Sequence, residues 1–135
     1  MLSPKVWLNT KQERQYQPQT HLLNSILIRK MVKYKIIITP KALKDMDLIY
    51  QYIANVLLVP EIALAQYNRI AKAILALESF PNKNPFFMFQ TASLKNIRFL
   101  IVDHYMVFYK VEGKLVVILR VLYGKRDIEK ILDSN

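Results

Sequence analysis

The chain has 135 residues, of which 53% are hydrophobic and 11% aromatic, enough for one core of ordinary size and too apolar for a disordered segment. It has no cysteine, which excludes disulfides, thiolate zinc sites and a cysteine nucleophile, and fits a reducing cytoplasm. Lys and Arg number 20 against 10 Asp and Glu, a formal charge of +10 that favours acidic partners, unless it serves solubility alone.

Residues 1–30 are rich in glutamine and asparagine and show no sustained period. They are expected to form an extension with a short helical piece at His21 to Arg29. Met31 opens a cleaner pattern and is a candidate natural start, so the folded domain is expected to occupy residues 31–135. No apolar run approaches the roughly 20 residues needed to span a bilayer. Neither a signal peptide nor a membrane partner is expected, and the chain is expected in the cytoplasm.

Tyr34 to Thr39 is β-branched and predicts a first strand. Thr39-Pro40 then has the form of a helix start, threonine as N-cap and proline at the first helical position. Ala42, Met46, Ile49, Ile53 and Val56 recur at helical spacing and predict an amphipathic helix of about four turns. Asp45 and Asp47 are two apart, do not face each other, and are expected on its solvated side. Pro60-Glu61 starts a second helix whose stripe is Ala63, Tyr67, Ile70, Ile74 and Leu77. The short link between the two helices predicts a helical hairpin.

Asn96 to Val102, Tyr105 to Val111 and Lys114 to Tyr123 predict three strands, joined by two-residue turns at Asp103-His104 and Glu112-Gly113. A short helix follows Gly124. The order β-α-α-β-β-β-α predicts an α+β domain, an antiparallel sheet with the helical hairpin packed on one face and the other face open. Strand alternation places Leu115, Val117, Leu119, Val121 and Tyr123 toward the helices and Arg120 on the open face. Gly124 is expected to permit a turn strained for other residues and to aim Lys125 and Arg126 beside Arg120. Seven cations lie between Lys95 and Arg126, against Asp103 and Glu112, so this region holds much of the positive excess. Asp127 could offset part of it locally, at a helix start.

Three stretches together resemble the RelE/ParE family of toxins from bacterial type II toxin-antitoxin systems, closer to the ParE-like branch. They are YKIIITPKALKDMDLIYQYIA, PEIALAQYNRIAKAILALESFP and RFLIVDHYMVFYKVEGKLVVILRVLYGKRDIEKIL, which cover nearly all of residues 34–132. The resemblance implies a small basic toxin that inhibits growth and is silenced by a cognate acidic antitoxin. ParE-like members are understood to poison DNA gyrase. RelE-like members cut messenger RNA on the ribosome, which requires a proton acceptor, cations for the phosphate and an acid for the leaving oxygen. The nucleases commonly carry an arginine after the tyrosine that opens the middle hairpin strand, lysines on the strand before it, and a tyrosine near the C-terminus. Here those positions are Met106, roughly Ile97 and Phe99, and Leu132, and Arg126 alone carries over.

The leading expectation is therefore a toxin that binds a target such as gyrase. The alternatives are a ribosome-dependent endoribonuclease and a non-toxic antitoxin-binding remnant. Candidate contacts for target or antitoxin are Arg98, Arg120, Lys125, Arg126, Tyr105 and Tyr109. Arg126 and His104 are the candidate catalytic groups, although His104 is read first as a turn residue and the tyrosines first as packing. No metal or cofactor is expected.

Overall fold

The computed structural model describes residues 33–88, 92–124 and 126–134. The chain divides after Lys33, and the second unit, Tyr34–Asn135, carries the fold. The expected extension over residues 1–30, its helical piece and Lys125 lie outside the described residues.

The strands are β1 (Lys35–Ile38), β2 (Arg98–Val102), β3 (Tyr105–Glu112) and β4 (Leu115–Tyr123). The helices are α1 (Pro40–Gln51), α2 (Pro60–Leu75) and α3 (Ile128–Asp133). The sheet order is β1-β4-β3-β2. β2, β3 and β4 form the antiparallel meander, and β1 adds in parallel beside β4 through the helical crossover. The β2–β3 turn holds Asp103 at φ 57°. The second hairpin closes on Gly113-Lys114, one residue later than expected, because Glu112 still pairs with Leu115. Gly113 supplies the positive φ that this turn needs.

α1 starts where the sequence places it. The Thr39 hydroxyl accepts from the Ala42 N–H and Pro40 occupies the first turn. Its last expected turn is instead π-helical, Tyr52–Val56, with the Leu57 N–H reaching back to the Tyr52 carbonyl at 3.1 Å. α2 begins at Pro60 with Glu61 in its first turn and ends in a 3-10 turn at Ala76–Glu78.

Two apolar clusters lie on opposite faces of the sheet. Under α1 and α2, Ala42, Met46, Ile70, Ile74 and Leu77 pack on Val107, Tyr109, Val116, Ile118 and Val121. On the other face Leu94, Ile97 and Phe108 pack with Leu122, Ile128 and Leu132. The second face was expected to be open. It is covered over this part because Ile128 and Leu132 of α3 and Leu94 of a 3-10 turn bury themselves there.

The expected facing of β4 is likewise corrected. Phe108 pairs with Arg120 but Tyr109 pairs with Ile118, which leaves Leu119 as the extra residue of a bulge. Val116 and Ile118 therefore face the helices before the bulge and Val121 after it, while Leu122 faces α3. One inserted residue switches the parity of everything beyond it.

Candidate functional site

The bulge sits where β1 runs out. β1 pairs with β4 only as far as Ile118, so among the described residues the outer edge of β4 beyond it has no neighbouring strand. The start of α1 takes that place. The Thr39 hydroxyl lies 2.8 Å from the Ile118 carbonyl oxygen, to which it donates. One turn further on, Asp45 Oδ2 accepts the Val121 N–H at 3.0 Å. The same carboxylate takes Arg120 in a bidentate grip, Nε to Oδ2 at 2.6 Å and Nη2 to Oδ1 at 2.8 Å. Asp45 is buried, and its hydrogen bond raises the Arg120 pKa above its ordinary value.

Arg120 is thus held by α1 and does not project onto an open face. Asp45, expected to be solvated, is what holds it. The signal was present in the sequence: position 45 falls between Ala42, Met46 and Ile49 on the buried stripe. Gln66 was missed in the same way. It is buried on the stripe of α2, donates to Asp103 Oδ2 at 3.0 Å, and accepts from Arg69. Arg69 Nε also meets Asp103 Oδ2, at 2.8 Å, so α2 anchors the β2–β3 turn. These donors, Arg69 first, hold the Asp103 pKa below its ordinary value.

Above the Asp45–Arg120 pair lies a groove of about 600 Å³ between α1 with its π-turn and the ends of β3 and β4. Leu48, Tyr52 and Leu57 line one wall, and Tyr105, Tyr123 and Arg126 the other. The Tyr105 and Tyr123 rings meet edge to face, with centroids 5.8 Å apart. Burial, then the neighbouring Tyr123 and Tyr52, raise the Tyr105 pKa. Leu48, Tyr52 and Leu57 are all more than half exposed, so the wall is apolar and open to solvent.

The candidate contacts therefore separate. Tyr105 and Arg126 line the groove. Arg98 is held elsewhere: it donates to the Asn82 and Asn84 carbonyls and stacks on Phe86 at 3.9 Å. Tyr109 is fully buried, its hydroxyl donating to Pro81 O at 2.6 Å and accepting from Asn84 Nδ2 at 3.0 Å. It is a core residue rather than a contact surface. Burial raises its pKa. His104 is exposed at its turn and lies outside the groove lining, with its ring centroid 6.5 Å from that of Tyr123. Gly124 does not take a positive φ. It approaches the next hairpin instead, its N–H donating to His104 O at 2.9 Å, and a Cβ there would lie 3.4 Å from that oxygen. The expected convergence of Arg120 and Arg126 on an uncovered face is not what this geometry builds.

The four positions at which the nuclease resemblance would need polar groups are apolar packing positions. Ile97 and Leu132 are buried in the α3-side cluster, and Phe99 and Met106 pack against it. Among the described residues no cluster of three His, Cys, Asp or Glu could hold a metal ion, and no helix is long and apolar enough to cross a membrane.

Comparison with known proteins agrees with this geometry. A family model described as the ParE toxin of the type II toxin-antitoxin system parDE matches residues 36–128. The solved structure of the chromosomal ParDE toxin-antitoxin system from P. aeruginosa has a chain 25% identical to this one. The match covers 70% of this chain and 99% of that one, with a TM-score of 0.60. A chain of the toxin-antitoxin complex RelBE2 from Mycobacterium tuberculosis is 22% identical, over 69% of this chain and 93% of its own, with a TM-score of 0.49, too distant to bear on function. No match is found among curated proteins.

Proposed function

This chain belongs to the ParE toxin family of type II toxin-antitoxin systems, and on that premise we propose that it arrests growth by binding DNA gyrase and is silenced by an acidic antitoxin. The observation that carries this reading is the pairing of an apolar, aromatic groove with one exposed guanidinium, Arg126, and, among the described lining residues, no acid–base pair beside it. The carboxylate in the lining, Asp45, already serves Arg120 and Val121. Bond-making on RNA would need a base and an acid near the phosphate. At the four positions where nucleases of the wider family carry polar groups, this chain places the apolar side chains of Ile97, Phe99, Met106 and Leu132.

In this reading Tyr52, Tyr105 and Tyr123 offer broad, low-entropy contact area and Arg126 fixes the register of a partner carboxylate. Residues 31–135 act as the toxin domain, with residues 1–30 as an extension, and the protein works in the cytoplasm. Induced expression without the antitoxin, followed by mapping of gyrase-linked DNA breaks and of message ends, tests it. The expected result is growth arrest with DNA breaks and intact messages. Arrest with cut messages would replace the gyrase reading with ribosomal RNA cleavage, and unimpaired growth would replace it with a non-toxic antitoxin-binding protein.

A further inference from the structure

The helix-side wall of the groove is set by one extra residue. Side chains four apart on an α-helix stand in one row, as Leu48 and Tyr52 do on this wall. An uninterrupted α-helix would bring Val56 next in that row. The π-turn Tyr52–Val56 shifts the row by one place. Its hydrogen bond closes over five residues, from the Leu57 N–H to the Tyr52 carbonyl, so the residue that follows Tyr52 along the wall is Leu57. The lining keeps this register. Leu57 belongs to it, whereas Val56, 64% exposed, is not among the described lining residues.

The helix then stops at once, which locks the register. The Val59 N–H returns to the Ile53 carbonyl at 3.2 Å, the six-residue closure that ends many helices. The left-handed position inside that closure ordinarily holds Gly or Asn, and here it holds Leu58, at φ 61°. Pro60 opens α2 two residues later and keeps Val59, just before it, out of the helical region. An α-helical register would move one more residue into this link: Leu57 would leave the wall and Val56 would enter it. The observed register keeps the link to Leu58-Val59 and the longer hydrophobe in the groove, while Leu58 stays strained. Strained backbone and π-turns gather where a surface is used.

We propose that this π-turn is the specificity device of the groove and that Leu57 is the residue through which it acts. This role rests on the groove being the surface that meets the target, as proposed above. Leu57 gives the wall facing Tyr105 and Tyr123 a γ-branched tip, where α-helical spacing would set the shorter, β-branched Val56. That tip fixes how deep an apolar side chain of the target enters between the helix and the two rings. Arg126, on the far wall, takes a carboxylate beside it. The target segment that fits carries a large apolar side chain close to an acidic residue.

The test compares the two neighbours in gyrase supercoiling with the full chain. Val56 and Leu57 are both more than half exposed, so alanine at either should leave the urea midpoint close to that of the natural chain. Leu57→Ala should weaken inhibition about tenfold or more, Leu57→Met should restore most of it, and Val56→Ala should stay within about twofold of the natural chain. Deleting Val56 removes the extra residue and leaves Leu57 four places after Tyr52, in the same row of a plain α-helix, so that chain should inhibit as the natural one does. Unchanged inhibition by Leu57→Ala, or a loss on Val56→Ala as large as on Leu57→Ala, would overturn the proposal. So would a Val56 deletion that unfolds cooperatively and no longer inhibits; if that chain does not fold, the alanine pair decides. A natural chain that leaves supercoiling untouched would remove the gyrase reading and this role of Leu57 with it. Inhibition by the natural chain that is indifferent to Leu57 would remove this role alone.

Discussion

Asp45 gathers three donors, two from Arg120 and one from the backbone of Val121, at the place where the sheet loses a neighbour. The side chains of Arg120 and Asp45 keep only 16% and 9% of their exposure, so neither partner is fully hydrated once the other is gone. Asp45→Ala should cost about 3 kcal/mol in urea unfolding, since it strands both a cation and an amide. Asp45→Ala with Arg120→Met should recover part of that loss; equal losses in the single and double variants would contradict the pairing. Tyr109→Phe should cost about 1 kcal/mol, because it leaves the Pro81 carbonyl without its donor. Asp103 has a signed pH consequence. Its pKa is lowered in the fold, so its contribution is present above the ordinary carboxylate range and is lost as pH falls through the lowered value. Asp103→Asn should flatten the acid side of the stability profile; a profile with unchanged slope would contradict the role given to Arg69 and Gln66. Asp45 was legible in principle, from its place on the stripe. It was misread because charge was weighed before position.

At the scale of elements, the sequence carried the architecture well and the details of facing poorly. Period and punctuation located all four strands, both long helices and the Thr39 cap, because each depends on local pattern. The Leu119 bulge could not be read from alternation, since β4 is apolar on both parities and both of its faces are covered by different elements. The π-turn was hidden for a similar reason: Ile53 and Val56 continue the apolar helical pattern while the hydrogen bonding reaches back five residues, as from the Leu57 N–H to the Tyr52 carbonyl. The flanks of α2 carry strain that the sequence announces only in retrospect. Leu58 and Phe80 sit at φ 61° and 58°, in the left-handed region that large side chains avoid. Leu58 is 75% exposed, so its side chain returns little packing for that conformation. Leu58→Asn should raise stability by roughly 0.5–1 kcal/mol in thermal or urea unfolding. A loss instead would show that the leucine is held by contacts of its own.

For the whole molecule, a formal charge of +10 and a groove walled by Tyr52, Tyr105 and Tyr123 suit the acidic, apolar partner proposed above. Association with the antitoxin should weaken as salt rises, and an affinity unchanged between low and high ionic strength would contradict the charge argument. Arg126 was found from sequence as a cation in a turn. Its neighbours in the groove came only from the fold, since Leu48, Tyr105 and Arg126 lie far apart in the chain. Because Arg126 is exposed, Arg126→Ala should change stability by less than about 0.5 kcal/mol while weakening target binding. The central claim, inhibition by binding through this groove, is tested most directly by gyrase supercoiling with purified protein. The account predicts inhibition by the natural chain near stoichiometric ratio and at least about tenfold weaker inhibition by Arg126→Ala, a loss near 1.4 kcal/mol. Full supercoiling in the presence of excess natural chain, or equal inhibition by the variant, would contradict it.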